Sequence, residues 1–143
     1  MSCKEWQRDG YCISTDPDRL DRAMIVDFLS TSYWADTLPK DKIARSLDHA
    51  LSFGLYAPGG AQIGYARVIT DYARFAYLGD VFVLPEWRGQ GLAQWLVKTI
   101  IAHEPLEGMT RWILATRDAH GLYEKCGFTA QDDPKRMMVR SGG

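Results

Sequence analysis

Cysteine is scarce in this chain, three in 143 residues. Cys3, Cys12 and Cys126 are odd in number, widely scattered and nowhere at zinc-ligand spacing, which argues against a disulfide framework or a metal site and fits a reducing compartment. A charge excess of either sign is missing as well. Lys and Arg total 17 and Asp and Glu 18, for a formal net charge of −1 at pH 7. A general nucleic-acid binder, or a protein held on an anionic membrane, would carry a basic excess. Here Arg117, Lys125, Lys135 and Arg136 are interspersed with acids rather than gathered in a stripe. Long apolar runs are absent too. The longest apolar-leaning stretch, from Phe75 to Leu84, contains Asp80 and falls far short of the roughly 20 residues that span a bilayer. Met1 to Gly10 holds Lys4, Glu5, Arg8 and Asp9 without an apolar core, so no secretory leader is expected. With no repeat, low-complexity tract or linker, the expectation is one cytoplasmic domain over residues 1–143, with neither nucleic acid nor membrane as partner.

What the chain does have is material for a core: 46% apolar and 12% aromatic residues. Tyr11 to Ser14 is a short strand, and Asp16-Pro17 reads as a cap opening a helix through Leu29, with Leu20, Ala23, Met24 and Phe28 on one face. Residues 31–36 form a loop. A second helix follows Pro39, its buried stripe formed by Ile43, Leu47, Ala50 and Leu51. Phe53 to Ala57 and Gln62 to Ile69 are strands joined by a turn at Pro58-Gly59-Gly60. Phe75 to Leu84 is apolar on both faces and belongs in the middle of a sheet. Leu92, Trp95, Leu96, Thr99, Ile100 and His103 mark a helix of about three turns. Trp112 to Thr116 is a buried strand, and Asp118 caps a short helix through Cys126 that Gly127 stops. Phe128 to Ala130 and Arg136 to Arg140 form a last strand pair. Strands interrupted by helices give an α/β (α+β) class, a mixed sheet with helices on its faces.

The chemistry lies between Val81 and Ala93. A buried strand runs through a loop containing Gly89 and Gly91 into a helix. Backbone N–H groups at such a junction lack helical partners, and the helix dipole adds positive charge, so the loop can hold phosphate without many basic side chains. A nucleoside-triphosphatase loop would end in Gly-Lys-Ser/Thr, but Gly91-Leu92-Ala93 has no lysine. A dinucleotide loop would carry a third glycine, which Gly89-Gln90-Gly91-Leu92-Ala93-Gln94 lacks, and would come in the first βα unit. The pattern that does match is Arg/Gln-x-x-Gly-x-Gly/Ala, from Arg88 to Ala93. Downstream, Ala119 to Phe128 matches Ala-x-x-Leu-Tyr-x-Lys-x-Gly-Phe. In this order and spacing the two motifs resemble the GNAT superfamily of N-acetyltransferases, and the resemblance runs from about Tyr11 to Val139.

That resemblance implies a mixed, largely antiparallel sheet of about six to seven strands flanked by about four helices. It implies acetyl-CoA as co-substrate, no metal, and direct attack of a primary amine, from a small molecule or a protein, on the thioester. Backbone groups of Val81, Phe82 and Val83 would meet the pantetheine arm, and Arg88, Gly89, Gln90, Gly91, Leu92 and Ala93 the pyrophosphate. Thr116, where the family often has asparagine, would join Ala119 and Lys125 around the cofactor. Tyr123 stands where the family commonly places a general acid for the CoA thiolate; its other reading is a packed aromatic. Where many members carry a glutamate base this chain has Gly79. Asp80 is the nearest carboxylate, either the base or else the partner of a buried arginine or a cap on a backbone group, in which case a water chain takes the proton. His49, His103 and His120 read as surface residues and Cys126 as a small buried hydrophobe.

Tyr33 and Trp34 would form one wall of the acceptor site, or simply cover a core edge. Asp71, Tyr72 and Arg74 would form the other wall. Asp71 would attract an ammonium group and Arg74 a carboxylate, which leaves the acceptor open. Family members often form homodimers, and the aromatic surface would allow one. Two alternatives stand beside N-acetyl transfer: a CoA-binding regulatory or interaction module without turnover, and an enzyme using a longer acyl-CoA.

Overall fold

A computed structural model describes residues 2–142. Asp9 and Gly10, at φ 51° and 85°, make the left-handed two-residue turn that matches strand twist. They join β1 (Glu5–Arg8) to β2 (Tyr11–Ser14) as a hairpin. β1 is a strand that the sequence pattern did not predict: Glu-Trp-Gln-Arg presents only Trp6 toward the core. β3 (Leu51–Tyr56), β4 (Gln62–Thr70) and β5 (Phe75–Val83) continue the antiparallel meander, and β6 (Arg111–Ile113) pairs parallel to β5. The result is a six-stranded sheet in sequence order. The parallel step needs a crossover, supplied by α3 (Leu92–Ile101), whose Leu92, Leu96, Val97 and Ile100 are buried against one face beside Phe53, Leu55, Val68 and Leu78. On the other face α1 (Arg22–Ser30) and α2 (Lys40–Leu47) bury Ile25, Leu29, Ile43 and Leu47 against Tyr65 and Phe82. α4 (His120–Glu124) follows β6. No helix among the described residues is long and apolar enough to cross a membrane.

Four local expectations are corrected. The first helix does not start at Asp16. Asp16 caps only a 3₁₀ turn at Pro17–Arg19, the chain is extended at Leu20, and Asp21 caps α1 anew by accepting the Met24 N–H at 3.2 Å. The break is pinned from outside, since Gln62 Oε1 accepts the Asp21 N–H at 2.7 Å. The strand expected over residues 112–116 ends at Ile113, because Leu114 to Thr116 leave the sheet. α4 is capped by Ala119 rather than Asp118. The last strand pair does not form: Asp133 caps a 3₁₀ turn at Pro134–Arg136, and Met138 and Val139 are 93% and 92% exposed, with no sheet neighbour to cover them.

His103, expected at the surface, is buried, edge-on to Trp6 at 5.3 Å and to Phe53 at 5.6 Å. Burial first, then the Lys4 charge, lowers its pKa below 6.5, with Glu104 opposing. The folded state therefore favours the neutral ring. Its contribution is complete above the unfolded value of 6.5 and is lost as pH falls through the lowered one. Melting temperature is expected to drop between pH 7 and 5, on a slope of at most about 1.4 kcal/mol per pH unit from this group. His103→Phe should flatten that drop in melts recorded across the same range.

Candidate active site

β5 and β6 stay together for three pairs only, Phe75 with Arg111, Ala76 with Trp112 and Tyr77 with Ile113. From Leu78 to Val83 the β5 edge has no strand partner on that side among the described residues, and a wedge opens between the two strands. At its mouth β5 carries a bulge. Tyr65 pairs with Phe82 and Arg67 with Gly79, so Ala66 alone faces Asp80 and Val81. Asp80 absorbs the extra residue at φ 54°, a left-handed conformation costing roughly 1–2 kcal/mol outside glycine.

The bulge sets Asp80 inside a polar triangle. Its Oδ2 is ion-paired with Arg67 Nε, and the two side chains are only 10% and 19% exposed. Its Oδ1 accepts the indole N–H of Trp34 at 2.7 Å. Both carboxylate oxygens are thus engaged, and the pair fastens the loop between α1 and α2 to the sheet. That loop is tied down again at Tyr33. The phenol oxygen accepts the Arg117 N–H at 2.9 Å, and the Arg117 guanidinium lies 3.8 Å above the ring centre. Between loop and sheet is a cleft of about 520 Å³, within the usual size range of small-molecule sites. Tyr33, Trp34, Arg67, Asp80, Thr116 and Arg117 line it, and α2 adds Lys42, Ile43 and Ser46.

Asp71, Tyr72 and Arg74 are elsewhere. They form the β4–β5 hairpin turn, where Asp71 Oδ1 accepts the N–H groups of Ala73, Arg74 and Phe75, and none of the three lines the cleft. Those three backbone bonds, that from Arg74 first, hold the Asp71 carboxyl below its ordinary pKa. The second wall of the cleft is α2 instead.

Beside the wedge, on the α3 side, is a glycine loop over a small cavity. Gly89 and Gly91 sit at φ 85° and 74°, and a Cβ at either would meet nothing within 4 Å. The first bond of α3 runs from the Trp95 N–H to the Gly91 carbonyl at 3.1 Å. The N–H groups of Gly89 through Gln94 accordingly have no acceptor among the described residues. Gly89 and Gly91 through Gln94 line a cavity of about 260 Å³, with Leu122 and Lys125 also in its wall, and free N–H groups at a helix N-terminus are the arrangement that binds phosphate. Arg88 lines the cavity too, while Gln90 does not. Arg88 Nε donates to the Val83 carbonyl at 2.8 Å, and Gln90 Oε1 accepts the Tyr11 hydroxyl at 2.9 Å, so both brace the loop. The Val83 carbonyl is occupied by that bond. The Ala119 N–H is likewise committed, to Thr116 Oγ1 at 3.0 Å. Phe82 is buried, its ring stacked on Phe28 at 4.0 Å, while Val81 lines the cleft.

Tyr123 on α4 is half-buried, edge-on to Phe128 at 6.0 Å. Burial pushes its phenol up to about 12, reinforced by Tyr33, Cys126, Tyr77 and Asp118, so the O–H stays protonated at neutral pH. Tyr123 lines a second groove, of about 670 Å³, which shares Ala115 and Thr116 with the cleft. Tyr33 and Tyr77, which act on it, line the cleft itself. Cys126 is also pushed up by burial and packs against the core, while His49 and His120 are exposed.

The model of the Acetyltransferase (GNAT) family matches residues 17–128. The chain belongs to this family. A Gibberella zeae relative named "Putative acetyltransferase FG08082" is 33% identical over 144 residues, covering 85% of this chain and 80% of its own. A crystal structure from Xanthomonas campestris pv. campestris, of "a putative acetyltransferase belonging to the gnat family", superposes with a TM-score of 0.88 at 45% identity, over 95% of this chain and 96% of that one. Glucosamine-6-phosphate N-acetyltransferase of Arabidopsis thaliana shares the fold, with a TM-score of 0.62 at 15% identity over 99% of each chain.

In this GNAT protein neither Arg67 nor Lys42 is a candidate by sequence, and Arg117 enters there only as one of the cations interspersed with acids. Arg67 did leave a signal, a charge between Ala66 and Val68 in a strand whose neighbours are buried. Lys42 left none, since a lysine on an amphipathic helix is ordinarily solvated.

Proposed function

We propose that this GNAT protein carries acetyl from acetyl-CoA directly to a primary amine. The observation that carries the reading is the run of N–H groups from Gly89 to Gln94 without acceptors, opening beside the β5–β6 wedge. Acetyl-CoA, when bound, supplies a thioester carbonyl already activated toward amines. The backbone from Gly89 to Gln94 holds the pyrophosphate, with Lys125 across the cavity adding charge, and the free β5 edge from Val81 lies along the pantetheine arm. The amine enters from the cleft under Trp34. Its nitrogen bonds to the acetyl carbon as the carbon–sulfur bond breaks. The Tyr123 phenol gives its proton to the departing sulfur, and the surplus amine proton returns through water to the phenolate, so the balance closes. Asp80, with both oxygens engaged, serves as a wall and water as the base. A cytoplasmic location goes with this reading, supported by three free cysteines.

Tyr123→Phe tests the assignment. The value of kcat, followed as CoA release over an amine panel, is expected to fall about 10²- to 10⁴-fold, the usual worth of a positioned acid. The acetyl-CoA affinity from calorimetry should stay unchanged. An unaltered kcat would make Tyr123 a packed aromatic.

A further inference from the structure

We infer that the acceptor carries an anionic group beside its amine on an apolar body, held by Lys42 and Arg117. This rests on the acetyl-transfer reading, and it specifies the class of amine.

The cleft is lined by three cations, Lys42, Arg67 and Arg117, against one carboxylate, Asp80. Arg67 and Asp80 neutralise each other in their ion pair, which leaves two positive charges over. Lys42 makes no salt bridge among the described residues, and Asp36, Asp41 and Asp48, the acids nearest to it in sequence, are exposed and do not line the cleft. Arg117 has only Asp118, at 3.8 Å, both side chains about two-thirds exposed at 66% and 64%, an arrangement worth little. Its guanidinium is nonetheless held in place. Tyr33 lies flat beneath it and also accepts its backbone N–H, so the fork of N–H groups is oriented in advance, the geometry that suits a planar carboxylate or a phosphate.

Electrostatics then sorts the acceptors. A polyamine or lysine-rich peptide would bring more positive charge to a site that already has an excess, and its amines would be harder to hold near these cations. An anion beside the amine reverses both effects. It gives Lys42 and Arg117 a partner, and the cations around it favour the neutral amine that direct attack requires. The rest of the lining, Leu29, Ala35, Leu38 and Ile43 with the Trp34 ring, offers apolar contact to the acceptor's body. A small apolar amino acid satisfies all three demands, as does its aminophosphonate.

The test is calorimetry of the protein, free and loaded with CoA, using four probes: L-phenylalanine, its phosphonate analogue 1-amino-2-phenylethylphosphonate, 2-phenylethylamine and spermidine. The two anionic probes are expected to bind at least about tenfold more tightly than phenylethylamine, the worth of one charge-assisted contact. The tighter of the two identifies carboxylate or phosphate as the group read. Lys42→Met and Arg117→Met should each erase about tenfold of that preference, Arg117→Lys less, with melting temperatures unchanged. Phenylethylamine or spermidine binding as tightly as the anionic probes would overturn the inference, as would no probe binding at all. The two readings fail separately. If CoA does not bind but phenylalanine does, through Lys42 and Arg117, acetyl transfer falls and the anion site stands. If CoA binds and phenylethylamine matches phenylalanine, only the acceptor class falls.

Discussion

Gly91→Glu is expected to weaken acetyl-CoA binding at least about 100-fold, or some 2.8 kcal/mol, in a protein that still folds. Gly91 sits at φ 74° and ψ 15°, where a residue with a Cβ carries roughly 1–2 kcal/mol of strain. Domains of this size have about 5–15 kcal/mol in hand, and a Cβ at this position meets nothing within 4 Å, so the fold survives. The added carboxylate stands in the mouth of the cavity that Gly89, Gly91, Ala93 and Lys125 enclose. It can accept the free N–H groups at the start of α3 itself, as acidic caps do, and it repels a pyrophosphate drawn to the same place. Gly91→Ala separates the contributions, since it introduces strain without charge and should cost about tenfold or less. Calorimetry for affinity and thermal melting for the fold check both variants. An unchanged dissociation constant in the glutamate variant would mean that the cradle holds no anion.

The cradle was legible in the sequence because it is a backbone site. It needs a strand end, glycines at positive φ and a helix start, and residues 81–97 spell these out locally. The motif singled out Tyr123, while its half-buried environment was not legible. The cleft was illegible for the opposite reason, being assembled from side chains whose meeting depends on register. Arg67 reaches Asp80 only because a bulge opposes two residues of β5 to Ala66, and Trp34 reaches the same carboxylate from a loop 46 residues away. A loop between two strands, with its charges, drew Asp71, Tyr72 and Arg74 toward the acceptor, but none lines the cleft and Asp71 spends its oxygen on its own turn. The fold followed the same division. Periodic stripes located α3, the central strands and α2 as far as Leu47, though Ala50 and Leu51 of the expected stripe fall beyond that helix, whereas a side-chain bond from Gln62, 41 residues distant, split the first helix. Phe128 to Ala130 and Arg136 to Arg140 had strand composition but do not join the sheet, whose last strand is β6.

The Arg67–Asp80 pair should produce the largest change in stability. Asp80→Asn keeps an oxygen for the Trp34 N–H and a side chain that tolerates φ 54°, so the variant removes charge and little else. Arg67, 19% exposed, is then a cation without its counterion. Breaking such a pair from one side costs about 3–5 kcal/mol, and the lower figure suits a site with some access to water. For a domain of this length about 3 kcal/mol lowers the melting temperature by roughly 10 °C. Removing the orphaned charge as well, in Arg67→Met with Asp80→Asn, should restore stability to within about 1 kcal/mol, because neutral replacements of a buried pair are often close to neutral overall. The same series bears on catalysis. If Asp80 is a wall, the double variant regains kcat together with its melting temperature, since water still takes the amine proton. If Asp80 is the base, both variants lose kcat to the same extent whatever their stability. The two readings therefore separate on whether activity follows the melting temperature or the carboxylate, and the engagement of both Asp80 oxygens places the expectation on the melting temperature.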